Sequence, residues 1–176
     1  MAGPVDELKA HHDALLAHLE QEPSLAVSTR AVLSKALLLA GASELEVDVT
    51  RIIEDYFSEV TSNNSTATAF VAKAALARRY HSFFQWDGNN INSFFALFGP
   101  DFKEYASKLV GKNSDLEKNI RGFLRIGSER NLLVHGNFAA YSLTLTSDEI
   151  YRLYTEAAGF RDALPGILRR TEAHEV

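Results

Sequence analysis

At 176 residues, 46% of them hydrophobic, the chain has the length of one domain and apolar residues enough for a sizeable core. It contains no cysteine, which excludes a disulfide framework and a zinc-finger ligand set and makes the cytoplasm the natural compartment. A net charge of −5 argues against indiscriminate nucleic-acid binding, while leaving room for a small basic site on an acidic body.

The start, Met1-Ala2-Gly3-Pro4-Val5-Asp6-Glu7, lacks the basic residues and apolar segment of a signal peptide. Apolar residues at Val5, Leu8, Leu15, Leu16 and Leu19 predict a first helix over 5–20 with an imperfect stripe. Its His11, His12 and His18 read as a solvated face, because no carboxylate framework accompanies them for a metal. Pro23-Ser24 restarts the chain, and a long periodic segment follows over 25–60, with Gly41 marking a kink or a close helix crossing. No apolar run reaches membrane-spanning length; the longest, Ala36-Leu37-Leu38-Leu39-Ala40, reads as buried helix, so no membrane partner is expected.

Thr61-Ser62-Asn63-Asn64-Ser65 is a turn cluster, and an alanine-rich helix is expected from 66 to about 84. Shorter aromatic elements come next, punctuated by Asp87-Gly88-Asn89-Asn90 and Gly99-Pro100, with their phenylalanines and Trp86 in the core. Ser114 with Glu117 forms a capping box for a helix that Gly136 can end. An extended stretch over 141–145 leads to a second capping box, Thr146 with Glu149, and a final helix through Ile150, Leu153, Tyr154, Ala157 and Phe160. Pro165-Gly166 is expected to end it, leaving a polar, frayed tail. The fold class is therefore all-α: a single-domain helical bundle over 1–176, core about 24–165, with a short irregular or extended segment near 137–147.

The chemistry concentrates in Arg130-Asn131-Leu132-Leu133-Val134-His135-Gly136, which sets a guanidinium, an amide and an imidazole within about a turn and a half of helix. A guanidinium neutralises phosphate oxygens bidentately, an imidazole moves protons near neutral pH, and an amide orients either. On a helical wheel Leu116, Ile120, Phe123 and Val134 form a buried stripe flanked by Leu124 and Ile126, with Gly127 in its middle where another helix could approach closely. Asn131 and His135 lie along one edge and Arg130 on the other, Leu132 points away, and Leu133 lies well to one side. Apolar residues off the seam at a capped helix end suggest a second packing surface, another helix or another subunit. Lys118, Arg121 and Arg125 occupy the opposite, solvated face. The helix dipole favours a protonated His135 and Arg130 opposes it, which suits a histidine that both accepts and donates a proton. An ordinary account fits the same residues: Arg130 pairs with an acidic neighbour, Asn131 bonds backbone, and His135 caps the helix.

At these residues the chain resembles the HEPN superfamily, whose hallmark is an arginine, commonly followed by asparagine, with a histidine a few residues on. Three further stretches are similar to the RiboL-PSP-type HEPN clade: Ala40-Gly41-Ala42-Ser43-Glu44-Leu45-Glu46, Asn92-Ser93-Phe94-Phe95-Ala96-Leu97-Phe98-Gly99-Pro100-Asp101-Phe102, and Asp148-Glu149-Ile150-Tyr151. The resemblance implies a helical bundle that homodimerises with two arginine/histidine motifs facing across a cleft. It also implies metal-independent endoribonuclease activity in defence, toxin–antitoxin or RNA-processing settings, with RNA as substrate, no cofactor and an antitoxin or other regulatory protein as a possible partner. Carried over, Arg130 stabilises charge on the scissile phosphate, His135 transfers a proton at the ribose 2′-hydroxyl or the leaving oxygen, and Asn131 orients them. Each subunit then supplies one motif histidine, and an isologous dimer supplies the second. The alternative is a non-catalytic HEPN module that binds RNA, nucleotide or a partner protein; a purely structural dimerisation domain is the third reading.

Two other clusters carry weaker signals. Glu44, Glu46, Asp48, Glu54 and Asp55 read as a charged helix surface, although Ser43 and Glu46 match positions kept in the clade and Glu46 could pair Arg130. Arg78-Arg79-Tyr80-His81 could hold RNA by phosphate contacts and stacking, but reads first as a surface cluster at a helix end.

Overall fold

The helix that carries the motif, α7 (Ser114–His135), is buried along Leu116, Ile120, Phe123, Leu124 and Ile126, as its periodicity predicts. The computed structural model describes residues 3–77 and 79–170. Around α7 stand α1 (Pro4–His18), α2 (Pro23–Val60), α3 (Ser65–Val71), α4 (Tyr80–Phe83), α5 (Asn92–Ala96), α6 (Pro100–Lys112) and α8 (Ser147–Arg169), with no strand among the described residues. The fold is all-α, and 137–146 forms the expected irregular connection.

Three long helices hold the core. α7 and α8 run antiparallel: Gly122 of α7 faces Leu153 and Glu156, Asn119 faces Gly159, and the rings of Phe123 and Phe160 lie 4.9 Å apart. α2 runs parallel to α8, with Gly41 against the Tyr154 ring and Arg169 bonded to Glu59 near the far end. Gly41 therefore marks a close crossing, and α2 continues unbroken through it. An 18-residue window of α2 has a mean hydropathy of 1.4, so length and composition alone would let this helix cross a membrane. Its Leu37, Leu38, Leu45, Val49 and Ile53 instead fill the core beside α7 and α8.

Several elements depart from the sequence reading. The helix expected over 66–84 breaks: α3 ends in a π-helical turn at Ala72–Leu76, Ala77 turns extended, and α4 restarts at Tyr80. Tyr80, Phe84 and Trp86 bury their rings together, and Phe84 and Trp86 reach Phe123 as well. That aromatic burial outweighs the few tenths of a kcal/mol per residue by which alanine favours helix. The N-cap of α7 is Asn113, whose Oδ1 accepts the Leu116 N–H at 2.9 Å, rather than Ser114, which is already helical. Thr146 and Glu149 do form their reciprocal capping box.

α8 does not stop at Pro165-Gly166 but runs to Arg169. An interior proline costs a helix about 3 kcal/mol, and full burial of Leu164, Ile167 and Leu168 offsets it at roughly 1.5–3 kcal/mol per side chain. The polar tail beyond 170 lies outside the described residues. On α1, His11 and His18 are exposed as expected, but His12 is buried, with Nδ1 3.1 Å from Asp13 Oδ1. Among the described residues no three His, Asp or Glu side chains converge as a metal would need.

Candidate functional site

The last turn of α7 exposes a different set of residues from the ideal wheel. Leu133 is fully buried, whereas Val134, expected on the seam, is 47% exposed and Leu132 54% exposed. The cause is the segment after the helix, which folds back and widens the buried face. Tyr141 donates its hydroxyl proton to Glu129 Oε2 at 3.1 Å, and the buried Lys35 of α2 holds the Phe138 carbonyl at 2.7 Å. Glu129 and Leu133, four apart on one face, are covered together. Gly136 ends the helix with extended backbone rather than a left-handed cap; its N–H reaches the Leu132 carbonyl at 3.0 Å.

Arg130, Asn131 and His135 stand on the open side of this turn. Arg130 is half-buried and its Nη1 donates to Asn131 Oδ1 at 3.2 Å. No carboxylate lies within salt-bridge distance of Arg130 among the described residues, so the acidic partner of the ordinary account is missing. The neighbouring Glu129 turns to the other side, where Arg125 holds it at 2.6 Å. His135 is exposed at the carbonyl end of α7. A guanidinium free of carboxylate, oriented by an adjacent amide and followed by an open imidazole, suits an anion that exchanges protons.

Lys118 and Arg121 pair with Glu156 and Glu117, and with Arg125 they form the solvated stripe expected of them. Glu44 accepts the Tyr154 hydroxyl at 2.5 Å, and Asp48 is bound by Arg51 and Arg161; both serve the α2–α8 contact.

Glu46 does not pair Arg130. Its Oε2 lies 3.4 Å from His81 Nε2, and Glu46, Tyr80, His81, Trp86, Gly127 and Arg130 line one notch of about 10 Å³, the space of a single water. The cluster read as a surface helix end thus divides. Arg79 is exposed, Arg78 lies outside the described residues, and His81 turns toward the motif. Burial first, then the charges of Arg130 and His135, hold the His81 imidazole below its ordinary pKa, while Glu46 pulls it upward. Burial and then the Glu46 charge raise the Tyr80 hydroxyl well above its usual range, so it stays neutral.

The notch exists because of Gly127. A Cβ there would fall 2.0 Å from two carbons of the Trp86 ring, so the indole itself occupies the close approach that the wheel assigned to a helix. Trp86 Nε1 in turn donates to the His81 carbonyl at 2.9 Å, which ties the loop after α4 back onto α4 while its indole packs on α7 at Gly127. The sequence offered Glu46 as a pair for Arg130 through the clade resemblance, and His81 within a cluster that could hold RNA; the pairing of Glu46 with His81 beside Arg130 carries no sequence signal, because it depends on the break before α4.

Neither a curated protein nor a solved structure is significantly similar to the chain. A family model described as RiboL-PSP-HEPN matches residues 6–169, nearly the whole chain and all of the elements that build this site. The protein belongs to the RiboL-PSP-HEPN family.

Proposed function

We propose that the protein is an endoribonuclease that cleaves RNA by attack of a ribose 2′-hydroxyl on the adjacent phosphate, without a metal, in a defence, toxin–antitoxin or RNA-processing system. The observation that carries this reading is Arg130: a guanidinium with no carboxylate partner among the described residues, at an open helix end, between Asn131 and the notch and about a turn from His135. HEPN domains are commonly ribonucleases. Arg130 neutralises the phosphorane-like transition state, Asn131 holds the guanidinium in register, and His135 transfers a proton. Dependence on a 2′-hydroxyl selects RNA over DNA.

In this reading the unit is a homodimer. Leu132, Val134 and Phe138 are exposed at 54%, 47% and 44% beside the motif, an apolar surface that a two-fold partner would cover. That arrangement sets two Arg130/His135 pairs across one cleft.

The test compares wild type with Arg130→Ala and His135→Ala on total RNA in EDTA, with light scattering on the same samples. Cleavage by wild type and a loss of at least ~100-fold in both variants is expected, since positioned proton transfer and oxyanion stabilisation each contribute about that much. Intact RNA in all three samples overturns the nuclease reading in favour of a module that binds RNA, nucleotide or an antitoxin-like protein. Undiminished cutting by both variants overturns the site. A strict monomer that still cuts overturns the shared cleft.

A further inference from the structure

Arg130 has no carboxylate partner among the described residues although one stands at the same notch. Glu46 of α2 and Arg130 of α7 both border the gap of about 10 Å³, yet Glu46 Oε2 lies 3.4 Å from His81 Nε2 and makes no salt bridge to the guanidinium. Opposite charges across a water-sized gap attract, so a third group must hold them apart. Resting on the ribonuclease reading, we propose that His81 is a positioning residue: its Nε2–H occupies the Glu46 carboxylate and so keeps Arg130 open for the RNA phosphate.

The tautomer follows from the surroundings of the ring. His81 Nδ1 is buried without a hydrogen-bond partner, so a proton placed there would lack an acceptor. Nε2 faces a carboxylate, which a bare lone pair at that atom would repel. The neutral ring therefore carries its proton on Nε2, on the Glu46 side. The ring is also fixed before any ligand arrives. Its centroid lies 5.3 Å from that of Tyr80 and 6.1 Å from that of Trp86, and Trp86 Nε1–H holds the His81 carbonyl at 2.9 Å. A donor that is already immobilised loses little freedom on meeting the carboxylate.

Charge favours a neutral donor in this place. Burial, then the charges of Arg130 and His135, disfavour an imidazolium at His81, and Glu46 opposes them. A neutral N–H stands beside the guanidinium without the like-charge repulsion that a cation there would feel. The Tyr80 hydroxyl, kept neutral by burial and by the Glu46 charge, adds no competing anion. On α7 itself Arg130 Nη1 donates to Asn131 Oδ1 at 3.2 Å, so the guanidinium too has a neutral partner. One neighbour thus occupies the carboxylate and the other orients the guanidinium. Without the His81 N–H, Glu46 turns to the guanidinium with which it shares the notch and becomes an internal competitor of the phosphate. Binding then weakens. A phosphate that has displaced Glu46 is placed as before, so turnover at saturation is spared.

The experiment is a double-mutant cycle on wild type, His81→Ala, Glu46→Gln and the double variant, with Arg130→Ala and His81→Gln as controls. Affinity is read by fluorescence anisotropy on a labelled single-stranded RNA with 2′-fluoro in place of every 2′-hydroxyl, which binds without being cut. Arg130→Ala should weaken binding. His81→Ala should weaken it about fivefold, the size of one ion pair formed in competition. Glu46→Gln should bind at least as tightly as wild type, the double variant should match Glu46→Gln, and His81→Gln, whose amide restores an N–H, should approach wild type. On ordinary RNA, His81→Ala should raise KM by a similar factor and hold kcat within about twofold. The single tryptophan, Trp86, reports by its fluorescence whether the variants keep the fold. Should His81→Ala prove misfolded, His81→Leu, without an N–H and closer in bulk, takes its place. Wild-type affinity in the folded variant, a loss that persists in the double variant, or a fall in kcat with KM unmoved each overturn the positioning role. None of these touches the ribonuclease reading, which wild-type cleavage of ordinary RNA decides. Equal binding by wild type and Arg130→Ala overturns both. The expected binding pattern in a protein that cuts nothing overturns the ribonuclease reading alone and leaves His81 guarding a binding site.

Discussion

Gly127 decides more about this site than any charged residue does. Its missing side chain admits the Trp86 indole, and Trp86 holds the backbone of His81 through its Nε1–H. Replacing glycine by alanine in mid-helix gains up to about 1 kcal/mol of propensity. Overpacking a buried contact costs about 1–3 kcal/mol, and a Cβ at 2.0 Å cannot be met by a small adjustment of a rigid ring. Gly127→Ala should therefore be net destabilising, with a lower urea midpoint and a changed Trp86 emission; a midpoint at or above wild type would show that the indole is free to move. The wheel did place Gly127 on the buried stripe, and it separated Lys118, Arg121 and Arg125 from the core. It could not say what fills the gap, because the indole comes from a loop that helical periodicity does not describe. Nor could it foresee Val134 exposed and Leu133 covered, since the cover comes from 137–146 folding back over Glu129.

Among the elements, α7 carries Arg130, Asn131 and His135 and depends on being well ended. Asn113 accepts the Leu116 N–H, while Ser114 is the first residue inside the helix. Asn113→Ala should cost about 1 kcal/mol and Ser114→Ala less than about 0.5 kcal/mol in thermal or chemical denaturation; the reverse order would return the cap to Ser114. Both residues have cap-forming side chains, and only the backbone, extended at Asn113 with φ −125° and ψ 97°, separates them. At Thr146 and Glu149 the sequence offers one pairing and the structure uses it. Helix ends set by local chemistry were thus readable when unambiguous. The ends of α3 and α8 follow tertiary packing, in the aromatic cluster around Trp86 and in the buried Leu164-Ile167-Leu168 face, and local rules misplace both.

At the scale of the whole molecule, three long helices set the frame and the short ones deliver chemistry to it. α2 locks onto α8 through Gly41 against Tyr154, and α8 holds α7 through Gly159 against Asn119. The break before α4 then carries His81 to the notch from a stretch that the sequence describes as a plain alanine-rich helix. The acidic body, with a net charge of −5, leaves the Arg130 guanidinium as a small cationic spot suited to one phosphate rather than to a long RNA track. The proposed cleavage depends on attack by the RNA's own 2′-hydroxyl, and the end groups of the products test that most directly. A defined RNA cut by the wild-type protein in EDTA should yield 2′,3′-cyclic phosphate and 5′-hydroxyl ends, and a single 2′-deoxy substitution at the cleaved nucleotide should abolish the cut. Products with 3′-hydroxyl and 5′-phosphate ends, or cleavage that survives the deoxy substitution, would contradict it.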